Sequence, residues 1–465
     1  MREAAVAEHL NGLRFGRAHR RVWLLAAMGI MLDGFDFFIM GVAIPLIAAD
    51  WGITPLQTGM LASSAIVGAI VGAAVMGPLS DRIGRRLAFR IDLAMFVVFA
   101  LASALAPDIG WLIAFRFLLG VGIGADYPIS ASYVAEISPQ RLRTRLLIGA
   151  FSFQAVGQLL GALVGLAILL VQPDPGAWRW MLAFGVIPAV IIVILRRNVP
   201  ESPLWLAARA RTEEAVAALS RFTGRPVSAA EIDADAAHAE PSAPTERVGL
   251  RRLLRRDTAG ATVLTSVPWF FMDIATYGIG VFTPTVLAAL ALSSAANTPF
   301  IADDITATEG AAVLDLFLVA GFALALLLVR RRGLVVLQAT GFVVMAAALA
   351  VLAATQGLTA GSAVQTVLVF AAFAAFNLFM NAGPNATTYS MPADAFPTVL
   401  RGAGAGFAAA AGKTGAALGT FLFPLLQHSL GLPLTLLIIA GGCAAGAVIT
   451  VALRRHATAG STAGG

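Results

Sequence analysis

Apolar stretches recur along the whole chain, divided by short polar segments. About twelve of them reach the roughly 20 residues that a helix needs to cross a bilayer. They begin near Val22, Leu56, Leu87, Trp111, Leu146, Trp180, Thr262, Gly310, Gly333, Ala363, Ala403 and Leu432. Within such stretches backbone polar groups find partners only inside a helix, so the pattern predicts an all-α membrane protein of twelve transmembrane helices. An even count puts both termini on one side of the membrane. Polar side chains are sparse inside the stretches, and each therefore calls for a reason.

Composition agrees with this reading. Hydrophobic residues make up 58% of the 465 and charged residues 12%, against about 25% charged in soluble domains. The 46 glycines and 22 prolines suit membrane helices, where close packing and broken segments are tolerated. Arginines sit before the first stretch (Arg14, Arg17, Arg20, Arg21), and after the second (Arg82, Arg85, Arg86), fourth (Arg141, Arg143, Arg145), eighth (Arg330, Arg331, Arg332) and twelfth (Arg454, Arg455). Eleven more lie between Arg196 and Arg256. The positive-inside rule places all of these in the cytoplasm, giving a multi-pass protein of the plasma or inner membrane with both termini inside. The net charge of +6 then faces anionic lipid, and no nucleic-acid partner is expected. The first stretch is too long for a cleaved signal. Cys443 stands alone, the five histidines are scattered and no phosphate-loop or metal-ligand spacing occurs, so neither a cofactor nor a metal is expected.

The polar, alanine-rich segment from about Arg209 to Arg256 divides the stretches six and six. The expected domains are an N-terminal six-helix bundle (1–200), a cytoplasmic linker (201–256) and a C-terminal six-helix bundle (257–465). A weak repeat supports the division. AEISPQRLR (Ala135 to Arg143) follows the fourth stretch and ADAFPTVLR (Ala393 to Arg401) the tenth. Both read Ala-acid-x-x-Pro-x-x-Leu-Arg, and this register sets Tyr127 against Asn385. Parallel repeats of this kind place a substrate site between the halves near the midplane.

The only lysine, Lys413, falls in an apolar, small-residue stretch, as do Asp33, Asp36, Asp126 and Asp273. Each such charge costs about 2.5–3.5 kcal/mol at a helix centre, so function is the default reading for it. Trp269, Asp273 and Tyr277 recur every fourth residue and share one helix face, and Asp33 and Asp36 also share a face. Such carboxylates can carry protons. For Asp33, Asp36 or Asp92 singly, a structural ion pair is an equally plain reading.

GPLSDRIGRR (Gly77 to Arg86), between the second and third stretches, resembles the loop signature of the major facilitator superfamily. RFLLGVGIG (Arg116 to Gly124) and PESPLWL (Pro200 to Leu206) resemble its sugar porters. GADYPISASYVAE (Gly124 to Glu136), PWFFMDIATYG (Pro268 to Gly278), NAGPNATTYSMPADAFP (Asn381 to Pro397) and AAGKTG (Ala410 to Gly415) together resemble the phosphate:proton symporters of that superfamily. The resemblance implies two pseudo-symmetric six-helix bundles around a central cavity. It implies a substrate site of Tyr127, Gln154, Trp269, Asp273, Tyr277 and Asn385, and a proton path through Asp33, Asp36, Asp92 and Asp126, reset by Lys413. It implies a gate at Gly77, Asp81, Arg82, Gly84, Arg85 and Arg86. Three features depart from the family: Ala125 before Asp126, the Asp-Gly-Phe-Asp of the first stretch, which also resembles aromatic-acid:proton symporters, and the segment LSSAANTPFIADDITATEG.

The expected activity is proton-coupled symport of a small anionic solute by alternating access, with inorganic phosphate first. A symporter of an aromatic or other organic acid, or of a sugar, is the alternative among transporters. A transport-inactive nutrient sensor is the alternative from another class. No nucleophile, base and oxyanion arrangement points to an enzyme. The partners expected are the anion, protons and the lipid bilayer, for a protein acting as a monomer.

Overall fold

The computed structural model describes residues 5–6, 9–10, 15–139, 142–197, 199–224, 226–232, 250–290, 300–359, 362–396 and 398–457, with no strand among them. Each of the twelve apolar stretches is helical. Eleven spans are long and apolar enough to cross a membrane as single units, and the seventh is a pair, Ala259–Gly280 and Thr283–Leu290, bent by 62°. The first five spans are Arg17–Trp51, Pro55–Ile83, Arg85–Ala104, Ile109–Ile137 and Arg143–Val171. The sixth joins Trp178–Phe184 to Val186–Arg196. The last five are Phe300–Arg332, Leu334–Ala354, Ala363–Met380 with its continuation to Ala395, Thr398–Leu430 and Leu432–Ala452.

Local chemistry sets the boundaries. Gly52 ends the first span in the left-handed conformation (φ 62°) that glycine adopts without strain. The Thr54 hydroxyl accepts from the Gln57 amide, and Pro55 occupies the first helical position of the second span. Asp108 caps the fourth span by accepting from Trp111 N at 3.0 Å. In the tenth span Pro384 removes a backbone donor, and the helix widens into a π turn over Asn381–Asn385. The eighth span starts at Phe300, ten residues earlier than the hydropathy places it, because Asp303, Asp304 and Glu309 lower the mean of its first turns without interrupting the helix.

Helix pairing repeats between the halves. Spans 1 and 5 pack as 7 and 11 do, 2 and 4 as 8 and 10, and 3 and 6 as 9 and 12. Across the halves, span 2 meets span 11 and span 5 meets span 8, the same contact generated twice by one pseudo-two-fold axis. Glycine makes the 2–4 pair possible. Gly68 and Gly72 lie on the carbonyls of Phe117 and Val121, while Gly120 and Gly124 lie on those of Ala65 and Ala69, so a Cβ at any of them would strike backbone.

The segment after span 6 is more ordered than a tether. Pro203–Ala208 and Thr212–Thr223 are helices, and the second buries Leu219 and Phe222 beneath the start of span 1, with the Phe222 ring 5.2 Å from His19. Most of the remaining linker, 233–249, lies outside the described residues.

Candidate transport site and its carboxylate network

The halves join at the middle of the bundle through Tyr277. Its hydroxyl accepts from Gln154 Nε2 of span 5 and from Lys413 Nζ of span 11, each at 3.0 Å. The Phe37 ring of span 1 stands edge-on to Tyr277 at 5.7 Å, and the Lys413 ammonium lies 4.8 Å from the Tyr277 centroid. Asp33 and Asp273 are both within electrostatic range of Lys413. Trp269 and Asp273 are buried one helical turn apart, and Trp269 stands edge-on to Tyr389, which itself stacks on Phe151 of span 5 at 4.5 Å. Asn385 Nδ2 donates to Asn381 Oδ1 at 2.7 Å, and Asn381 donates to the Leu318 carbonyl. The π turn matters here, because it turns both amides inward at the point where span 10 meets span 8. Five of the six expected substrate residues are thus buried, and of these Gln154 and Tyr277 meet directly across the halves. The side chain of the sixth, Tyr127, lies outside the described residues.

A second set of charges belongs to the N-terminal half. Asp36 pairs with Arg116 of span 4 at 2.7 Å, both buried. Asp126 pairs with Arg196 at 3.0 Å, and Asp92 lies 4.0 Å from the same guanidinium. Arg196 also donates twice to the Leu25 carbonyl, at 2.8 and 3.1 Å. Gly29 makes room for this cluster, since a Cβ there would collide with the Asp126 carboxylate and the Arg196 guanidinium. One oxygen each of Asp33, Asp36, Asp92 and Asp126 is buried with no donor among the described residues.

Arg196 corrects the sequence reading. Counted among cytoplasmic loop arginines, it is instead 6% exposed and closes the base of the N-terminal bundle. Arg116 is 2% exposed, so a second guanidinium lies inside the bundle. The signal for Arg196 was its place on the last turn of span 6, one residue before Arg197, which is exposed. Two further buried carboxylates, Asp304 and Asp315 of span 8, were also missed. Asp304 fell in a segment read as a loop, and Asp315 sits a few residues into the eighth stretch without a neighbouring motif to single it out.

The loop of Gly77 to Arg86, expected as a gate, is held by contacts within the N-terminal half and the segment after span 6. Gly84 (φ 95°) ends the second span. Arg85 donates to Glu136 at 2.8 Å and to the Ser80 carbonyl at 3.0 Å. Glu201, from the segment after span 6, accepts from the backbone N–H groups of Arg85 and Arg86 at 2.8 and 3.1 Å, a carboxylate at a helix N-terminus. Arg86 reaches the Arg197 carbonyl at 3.2 Å and Arg82 is exposed. The side chain of Asp81 lies outside the described residues, as does that of Gly77's neighbour Pro78. Glu136 and Glu201 are the partners of this loop that motif reading did not name.

Glycine-mediated backbone contacts between the halves lie away from this loop. Gly41 of span 1 meets the Val281 carbonyl, and Gly59 of span 2 meets that of Phe421. Both contacts are toward the ends of the helices that carry Trp51 and Leu430, opposite the arginines.

The sugar (and other) transporter family matches residues 22–463. The inner membrane metabolite transport protein YgcS of Escherichia coli is 31% identical over 95% of this chain and 92% of its own length. The niacin transporter NiaP of Acinetobacter baylyi is 28% identical over 88% of each chain. The probable inorganic phosphate transporter 1-4 of rice is 29% identical over 90% of this chain and 84% of its own. Among solved structures, the inward open xylose transporter XylE of E. coli superposes with a TM-score of 0.75 at 20% identity, covering 93% of this chain and 95% of that one, and shares the fold. The chain belongs to the sugar (and other) transporter family and is a membrane transporter, not an enzyme.

Proposed function

We propose that this protein is a proton-coupled symporter of a small anion, with inorganic phosphate as the first candidate, and that residues 1–200 and 257–465 are the two units that rock about the site, joined by 201–256. The observation that carries the reading is the Gln154–Tyr277–Lys413 bridge, which sets the one lysine of the chain beside two carboxylates at the seam between the halves. An anion entering there takes hydrogen bonds from Lys413, Gln154, Trp269 and Asn385, while Tyr277 and a protonated phosphate hydroxyl find acceptors in one another and in Asp273. Substrate and proton are then linked electrostatically. An anion beside Lys413 weakens its hold on Asp33 and Asp273 and favours their protonation, so anion and proton load together.

Asp126 and Asp92 with Arg196 carry the proton between that seam and the arginine-bearing end, while Asp36 with Arg116 takes it up at the level of the seam, beside Phe37. With the arginines in the cytoplasm, the contacts at Gly41 and Gly59 close the outer end, and the Arg85–Glu136 and Glu201 contacts form the inner latch.

The test is uptake of radiolabelled phosphate into proteoliposomes under an imposed inward proton gradient, with a protonophore control. Gradient-dependent accumulation is expected. Its absence from folded protein overturns phosphate as the substrate. A second reading rests on the aromatic wall of Trp269, Tyr389 and Phe151, which fits an aromatic carboxylate as well as a bare anion, and on the likeness to a niacin transporter. Nicotinate accumulating in the same vesicles while phosphate does not would establish that reading in its place.

A further inference from the structure

Two cavities at the arginine-bearing end of the N-terminal half adjoin these groups, Arg86 lining both and Arg196 the second. The first, about 650 Å³, is lined by Arg17, Arg21, Arg86 and Arg221 over a floor that includes Val22 and Phe222. The four arginines come from three separate segments: the start of span 1, the loop before span 3 and the helix Thr212–Thr223. All four are exposed, and none of their guanidiniums forms an ion pair with a carboxylate among the described residues. The nearest acid of the latch, Glu201, is engaged by backbone N–H groups.

The second cavity, about 720 Å³, is an apolar groove between spans 3 and 6. Val97, Val98, Val190 and Val193 form its walls, and Arg86, Arg90 and Arg197 stand at its mouth. Val98 is 57% and Val190 39% exposed, so the groove opens on the lipid side of the bundle. Arg86 and Val199 line both cavities, so the two adjoin. A cationic chamber at the interface running into an apolar groove at membrane depth has the chemistry of an amphiphile with an anionic head. A soluble anion would leave the groove without purpose, and a neutral lipid would leave the arginines uncompensated.

We propose that this pair of cavities binds an anionic phospholipid, with its phosphate among Arg17, Arg21, Arg86 and Arg221 and an acyl chain along the groove between spans 3 and 6. The bound lipid ties span 1, the latch loop and the helix Thr212–Thr223 together, and so favours the state in which the latch is closed.

Native mass spectrometry of the full-length protein, reconstituted with equal parts of phosphatidylglycerol and phosphatidylcholine, reads this directly. Wild-type protein is expected to retain phosphatidylglycerol in clear preference. The triple substitution R17Q/R21Q/R221Q is expected to weaken that preference about a hundredfold, each interfacial arginine contributing about fivefold. R331Q/R332Q, in the other half, is expected to leave it unchanged, and V98W/V190W, which fills the groove, to reduce it. No class preference in the wild-type protein overturns the proposal without recourse to any variant. An equal loss in R331Q/R332Q also overturns it, because the basic end then acts as a diffuse field. Displacement of the lipid by millimolar glycerol 1-phosphate, with V98W/V190W behaving as wild type, would assign the arginines to a soluble phosphate ester instead.

Discussion

Replacing Arg196 with glutamine tests the cluster that the proton path depends on. The guanidinium donates to Asp126 at 3.0 Å, lies 4.0 Å from Asp92 and gives the Leu25 carbonyl two bonds, all in a buried setting. Removing one member of a buried ion pair costs about 3–5 kcal/mol, because the partner is left charged and dry. Glutamine can keep one neutral bond to Leu25, worth about 1 kcal/mol, so R196Q is expected to lose about 2–4 kcal/mol of stability. Asp126→Asn alone leaves Arg196 with only Asp92 to compensate it. In the double variant two neutral amides face each other, and only the more distant Asp92, 4.0 Å from the guanidinium, loses its cation. The pair should therefore be less destabilised than the sum of the single changes, by about 1–3 kcal/mol. The assay is denaturant titration of the four proteins of this cycle in the same lipid nanodiscs. Additive single effects, with a coupling under about 0.5 kcal/mol, would refute the reasoning, since the carboxylate and the guanidinium would then not sense one another.

Three other outcomes are expected. Asp126→Asn should abolish uptake driven by a proton gradient while sparing exchange of preloaded substrate, and driven uptake at the wild-type rate would remove Asp126 from the proton path. Tyr277→Phe takes the shared acceptor from Gln154 and Lys413, so the half-saturating substrate concentration should rise about 10- to 100-fold, the value of one bond to a charged group; wild-type half-saturation would exclude Tyr277 from the site. Gly72→Leu drives a side chain into the Val121 carbonyl of span 4, and the protein should fail to accumulate in the membrane, whereas normal yield and melting would show that spans 2 and 4 do not need their close approach.

The sequence by itself determined the number of spans, because the need to satisfy backbone polar groups in hydrocarbon leaves helices as the only solution, and hydropathy reports this directly. It also determined which polar residues were costly enough to matter: Lys413, Asp33, Asp36, Asp126 and Asp273 stood out against apolar neighbours, and in the fold the four aspartates are buried and Lys413 is half-buried. Helical periodicity put Trp269, Asp273 and Tyr277 on one face before any contact was known. Pairing was a different matter. That Tyr277 bridges Gln154 and Lys413, that Asp36 meets Arg116 and that Arg196 reaches back to Asp126 depends on which helices lie side by side, over separations of 70 to 136 residues. Arg196 shows the limit most plainly. In sequence it is one of eleven arginines of a polar segment, and a positive charge at the end of an apolar stretch ordinarily turns outward to water. Only the packing of span 6 against spans 1, 3 and 4 turns it inward, where two carboxylates and a carbonyl make burial tolerable. The widening at Pro384 is similar, since sequence marks the proline but not the direction in which Asn381 and Asn385 are turned. Local chemistry thus set the elements and the unusual groups within them, and tertiary packing decided which charges face each other, because Coulomb and hydrogen-bond energies depend on distances that helix assembly alone creates.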